Sequence, residues 1–152
     1  MTTFTLIAQR TYDVAPESMW PVVADLDGYA DHVAGLAATT VLSGDGLGAV
    51  RQCTTTRNDS WTERVSDWQP ARSYTLTVDT AGYPLPLRWL FRAFQGTWTL
   101  ERVGAGSEVT IRFTADVRGG LLTRPLIALM ARTSRRHLED TLTSYGRAAA
   151  VT

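Results

Sequence analysis

Ser134, His137 and Thr141 recur at steps of three and four residues within the last long periodic stretch of the chain. That spacing gathers them on one helical face. Packing alone would favour Leu or Ala there, so something polar is expected opposite them. One possibility is a ligand in a cavity, hydrogen-bonded by the two hydroxyls, with His137 moving protons as a general acid or base. The other is local: Ser134 and Thr141 bond back to their own helix carbonyls, and His137 meets a buried acceptor.

Arg51 and Arg64 form a second set, each in the middle of a strand-like run. A charge so placed either faces water, paired across strands with a carboxylate, or meets an anion. The parity of 61–68 leaves the inward face open, because Trp61, Glu63, Val65 and Asp67 compete with Thr62, Arg64, Ser66 and Trp68.

Positioning these groups takes a sheet and a helix. Val109, Ile111, Phe113, Ala115 and Val117 alternate with Glu108, Thr110, Arg112, Thr114 and Asp116, and Tyr74, Leu76 and Val78 alternate with Ser73, Thr75, Thr77 and Asp79. Such runs predict antiparallel strands with one dry and one wet face. Further strands are expected over 4–14, 39–42, 49–57 and 61–68, with a glycine-rich turn at 43–48. Pro16 and Glu17 suit the start of a short helix running through Met19 to Val23 and kinked at Pro21; Asp27 and Gly28 then break the chain before a second short segment at 29–33. From about 123 to 149 the period is helical, with Leu126, Ile127, Met130, Ser134, His137, Leu138, Thr141 and Tyr145 on one face and Arg132, Arg135, Arg136, Glu139, Asp140 and Arg147 on the other. The order of strand, two short helices, six strands and long helix predicts an α+β domain with helices on one face of an antiparallel sheet.

Fifteen basic residues, all of them Arg, balance fifteen acidic ones, so no overall field attracts a phosphate backbone, and nucleic-acid binding is not expected. The start of the chain lacks a secretory pattern, no apolar run approaches membrane-spanning length, and a cytoplasmic protein without stable membrane insertion is expected. Cys53 stands alone and reads as a small buried apolar side chain; His32, in a polar AspHis pair, reads as solvent-facing. Nucleotide, metal-cage and nucleophile-elbow motifs are missing, so no cofactor and no metal are expected. The segment 83–94 (YPLPLRWLFRAF) combines two prolines with large apolar residues and reads as a loop. It is expected to be a lid or mouth of the cavity, a homodimer contact, a surface that touches membrane or a carrier protein, or a core segment misread as loop.

The order of elements and the stretch from Val14 to Tyr29 (VAPESMWPVVADLDGY) resemble the SRPBCC superfamily, close to its polyketide cyclase/dehydrase branch. Further matches are GDGLGAVR at 44–51, Glu63-Arg64-Val65 with Pro70 closing that strand, Gly96-Thr97-Trp98 and the terminal amphipathic helix, so the resemblance spans nearly all of residues 1–152. It implies one ligand-binding domain of helix-grip fold, a seven-stranded curved antiparallel sheet wrapped around the long C-terminal helix, with two short helices between the first two strands. The dry strand faces then become the wall of a cavity, drawing in Tyr74, Leu76, Val78, Phe94, Trp98, Ile111 and Phe113, while Met130, Ser134 and Thr141 come from the helix. The resemblance favours Thr62, Arg64, Ser66 and Trp68 as inward, alongside Arg51. Aromatase/cyclases of this branch use a pocket Arg and a Tyr at positions that match Trp68 and Leu36 here, so any chemistry falls to Arg64 and His137. Two functions follow from the resemblance: a cyclase or dehydratase of secondary metabolism acting on an oxygenated aromatic or polyketide-like molecule, or a non-catalytic carrier or sensor of a lipid, quinone or polyphenol.

Overall fold

The computed structural model describes residues 2–151. In chain order these form β1 (Thr2–Tyr12), α1 (Pro16–Val23), a 3-10 turn (Tyr29–His32), β2 (Leu36–Ser43), β3 (Val50–Thr55), β4 (Ser60–Gln69), β5 (Ser73–Val78), α2 (Leu87–Leu90), β6 (Phe91–Val103), β7 (Gly106–Val117) and α3 (Arg124–Val151). The strands make one antiparallel sheet in the order β1-β7-β6-β5-β4-β3-β2. All but one of the pairings join strands consecutive in the chain. The exception is β1, which pairs with β7 along its whole length, while α1 and the 3-10 turn carry the chain from it across the molecule to β2 at the opposite edge. Register shifts in the β2–β3, β4–β5 and β6–β7 pairings bend the sheet, which wraps around α3 in the helix-grip arrangement expected.

The bend in β4 settles its parity. Glu63 and Val65 are buried before the shift between Val65 and Asp67, and Trp68 turns inward after it, so Arg64 and Ser66 lie exposed on the outer face. The inward set is thus Trp61, Glu63 and Val65, then Trp68. Arg64 therefore has no access to the inside, and Ser66 spends its hydroxyl on Thr77 across the outer face at 2.8 Å.

The core has two parts. One, under the second half of α3, packs Leu138, Leu142, Tyr145 and Ala149 against Leu6, Tyr74, Leu76, Trp98, Val109 and Ile111. The other lies under its first half and gathers Ile127 with Val78, Tyr83, Leu90, Phe91, Ala115 and Val117. Leu126, expected on the covering face, is exposed, because the buried stripe descends from Leu138 through Ser134 to Ile127 and leaves the neighbouring position 100° away. Segment 83–94 is not one loop: Phe91–Phe94 open β6, Tyr83, Leu90 and Phe91 are core, and only Leu85 and Trp89 are large apolar residues left outside. At the far end β1 clamps α3, since the Tyr12 hydroxyl donates to the Leu142 carbonyl at 2.6 Å and its ring lies against Gly146, where an added Cβ would come within 2.9 Å. His32 is half-buried rather than solvent-facing. Its Nδ1 lies 2.7 Å from the Ser144 hydroxyl and its ring packs edge-on to Tyr145.

Candidate functional site

Between the two parts of the core, sheet and helix do not touch, and a cavity of about 480 Å³ remains. Its walls are built by parity. β3 turns Arg51 inward, β4 Trp61 and Glu63, β5 Leu76 and Val78, β6 Phe94 and Trp98, and β7 Phe113, while α3 covers them with Ser134, His137, Leu138 and Thr141. Tyr29, the segment 33–36, Tyr83 and Leu87 border it from the connecting segments. Gly96 admits the floor: a Cβ there would come within 2.8 Å of the Trp98 ring and 3.0 Å of Phe113, so only glycine lets both rings lie across β6. Trp98 in turn stacks on Tyr74 with ring centroids 5.1 Å apart.

The polar end is an ion pair. Arg51 and Glu63 face each other in the β3–β4 register, Nε donating to Oε1 at 2.9 Å with Nη2 at 2.7 Å from the same oxygen. Nη1 donates to the Leu26 carbonyl at 3.3 Å, the guanidinium lies over the Tyr29 ring at 4.5 Å, and Glu63 Oε2 accepts from the Trp61 indole at 2.9 Å. Burial opposes the charge of Arg51, but the Glu63 carboxylate, helped by Cys53, Tyr74 and Tyr29, holds its pKa above the ordinary range. Cys53 beside the pair is pushed up to about 12, first by burial and then by Glu63, so its thiol is inert. Burial also raises Tyr29 and Tyr83, whose phenols at the cavity are hydrogen-bond donors rather than bases.

On the helix side the two readings of the polar stripe divide. Thr141 is buried and donates to the His137 carbonyl at 3.0 Å, the local arrangement. Ser134 and His137 make no hydrogen bond to any described residue and line the cavity one turn apart, with His137 exposed at its rim. Between sheet and helix, the Trp98 indole N–H and the Tyr145 hydroxyl of α3 are buried and influence each other without a well-formed hydrogen bond.

The remaining expected residues fall behind or beside the wall. Tyr74 is fully buried and donates to the Val23 carbonyl at 2.6 Å, Ile111 is core, and Trp68 packs on Trp20 and Tyr74 without reaching the cavity. Met130 lines a narrower apolar space of about 80 Å³ that shares Phe94, Phe113 and Ser134 with the main cavity. Sequence reasoning missed Glu63 as the partner of Arg51, and with it Tyr29, Trp61 and Tyr83. The signal for Glu63 was present, since counting outward from a turn centred on Arg57 pairs Thr54 with Ser60, Cys53 with Trp61 and Arg51 with Glu63.

A bent antiparallel sheet gripping a long helix over an aromatic-walled cavity with one polar end defines a helix-grip protein of the SRPBCC type. The chain belongs to the polyketide cyclase / dehydrase and lipid transport family, whose model matches residues 3–149. No curated protein sequence matches it. Among solved structures it is similar to TTHA0849 from Thermus thermophilus, at 16% identity and TM-score 0.76 over 97% of this chain and 98% of that one. It is also similar to the Zhui aromatase/cyclase from Streptomyces sp. R1128, at 18% identity and TM-score 0.75 over 98% and 94% of the two chains. Ara h 8.0201 follows the same fold at 15% identity and TM-score 0.69, over 95% and 98%.

Proposed function

We propose that the cavity binds one small oxygenated aromatic or polyketide-like molecule. The observation that carries this reading is the pair of unbonded polar groups, Ser134 and His137, on the helical roof of a space otherwise walled by Tyr29, Trp61, Tyr83, Phe94, Trp98 and Phe113. A plain hydrocarbon chain would leave the half-buried Ser134 hydroxyl without a partner and give His137 nothing to meet. Ring faces on the wall suit a flat ligand, and 480 Å³ falls within the roughly 300–1,000 Å³ of small-molecule sites.

Native mass spectrometry of freshly purified protein tests the reading, followed by titration with a hydroxylated anthraquinone as probe. A co-purifying oxygenated aromatic supports it. Ser134→Trp, which fills the cavity from a half-buried position, is expected to weaken probe binding by about tenfold or more. Binding that ignores Ser134→Trp defeats the proposal.

Catalysis on the bound molecule is a second reading, favoured by His137, Tyr29 and Tyr83 lining the same space. In a dehydration, His137 would take the proton α to a carbonyl, a Tyr29 or Tyr83 phenol would donate to the enolate oxygen, and His137 would return the proton to the departing hydroxyl, releasing water. His137→Ala then abolishes turnover while leaving affinity within a few-fold, by about the factor of two to five expected for one lost hydrogen bond. If the same change only weakens binding and no compound is turned over, the protein is a carrier or sensor.

A further inference from the structure

We infer that the end of the molecule formed by α2, the turn at 118–123 and the first half of α3 docks on an anionic lipid bilayer. Six of the eleven exposed large apolar side chains among the described residues lie here: Leu85, Trp89, Leu121, Leu122, Leu126 and Leu129. Leu121 and Leu122 are 72% and 92% exposed, so they are tips rather than the walls of a groove. One backbone bond joins the two halves of the patch, as the Arg118 N–H donates to the Leu90 carbonyl at 2.9 Å and fastens α2 to the turn that carries both leucines. α3 leaves from that turn carrying Leu126 and Leu129, exposed and one turn apart.

The charge here is one-sided. Segments 84–94 and 118–138 hold seven arginines, from Arg88 to Arg136, and no Asp or Glu, in a chain whose basic and acidic residues balance overall at fifteen each. All seven are exposed. The ion pairs among the described residues are Arg51–Glu63 and Arg102–Glu17, so none of the seven is neutralised. Asp116, the carboxylate on the adjoining end of β7, accepts from the Thr3 hydroxyl at 3.1 Å. A recess on the outer side of α3 collects Arg132, Arg135 and Arg136, with Glu139 toward its C-terminal end.

Projecting leucines, an outward indole and unpaired guanidiniums match the strata of a bilayer surface. Leu reaches the acyl boundary, Trp sits at headgroup level, and Arg meets phosphates with its stem along the apolar side. A protein partner would instead need a groove to receive the tips, or acidic side chains placed opposite each arginine. The narrow space under Ile127 and Met130 adjoins the main cavity, so a docked molecule presents its ligand path to the membrane. This last step rests on the ligand-binding reading; docking itself does not.

Vesicle co-sedimentation and tryptophan emission test the docking on the protein alone, and so stand or fall apart from the cavity experiments. Binding to equimolar phosphatidylcholine/phosphatidylglycerol vesicles at low salt is expected to exceed binding to phosphatidylcholine by about tenfold or more, with a blue shift and a loss on adding salt. The double variant Trp89→Ser/Leu122→Ser loses the blue shift and about tenfold in affinity. Arg124→Gln and Arg132→Gln cost about fivefold each on anionic vesicles and flatten the salt dependence. These positions are exposed, and unchanged circular dichroism and melting certify the fold of each variant. Absence of binding to anionic vesicles at low salt overturns the proposal, as does equal binding by the Trp89/Leu122 variant. A dimer dissolved by Leu122→Ser, or capture of an acidic carrier protein, in either case without vesicle binding, overturns it in favour of a protein partner.

Discussion

Glu63→Leu should be among the most damaging single substitutions in the chain, and adding Arg51→Met should repair most of the damage. Among the described residues Glu63 alone supplies a carboxylate within reach of Arg51, whose side chain is 2% exposed, and it also accepts from the Trp61 indole. Removing it strands a buried cation and an indole donor together. Breaking such a pair from one side costs about 3–5 kcal/mol, a large share of the roughly 5–15 kcal/mol that holds a domain of this kind together. For a chain of this length each kcal/mol lowers the melting point by about 2–4 °C, so a fall of roughly 6–20 °C is expected. Replacing both partners by apolar groups of similar volume removes the need to desolvate either charge, and the double variant should return to within about 1–2 kcal/mol of the parent or exceed it. Urea unfolding of the parent, both single variants and the double closes the cycle. A loss below about 1 kcal/mol for Glu63→Leu, or a double variant no more stable than the worse single, would refute the view of the pair as buried and mutually dependent. The double variant also keeps the fold while deleting the polar end, so its probe affinity reports directly on that end as a binding element.

Tyr12→Phe removes the hydroxyl that reaches the Leu142 carbonyl and should cost about 1 kcal/mol in chemical denaturation. Gly146→Ala gains about 1 kcal/mol of helix propensity, but its methyl would meet the Tyr12 ring at 2.9 Å; net destabilisation is expected in the parent and net stabilisation in a Tyr12→Ala background, and the same sign in both would contradict the clamp. His32 has its pKa lowered, first by burial against the opposing pull of Asp31 and Asp25, and it sits beside Ser144 and Tyr145. The unfolded chain therefore takes up this proton first as pH falls below about 6.5, and folding stability drops from there toward the lower folded pKa. Thermal melts between pH 7.5 and 5 should show a shallower decline for His32→Gln, and parallel curves would dismiss the effect.

Much of the fold could be read from residue patterns because β5 and β7 alternate cleanly and face water on one side. The first half of the site was legible for the same reason: Leu76, Val78 and Phe113 came from parity, and Ser134, His137 and Thr141 from a polar interruption of a helical stripe. β4 resisted because both of its faces carry an aromatic and a charge, and because the shift after Val65 places Val65 and Trp68, which parity assigns to opposite faces, on the same side. No period survives a bulge. Arg64 was favoured over Glu63 on family likeness, whereas hairpin counting from the turn would have chosen Glu63. Segment 83–94 was opaque for a different reason. Its apolar residues serve three masters, core at Tyr83 and Phe91, cavity at Leu87 and Phe94, and exterior at Leu85 and Trp89, so no single periodicity runs through it.

The buried pair has a consequence for selectivity. Because Arg51 meets Glu63 before it meets anything in the cavity, the polar end presents a fixed dipole rather than a free positive charge. An incoming carboxylate would gain the guanidinium only by competing with Glu63 and would suffer that group's repulsion at close range. A neutral ketone or phenol pays neither penalty. The site therefore sorts by formal charge as well as by shape, rejecting acids that an isolated arginine would welcome.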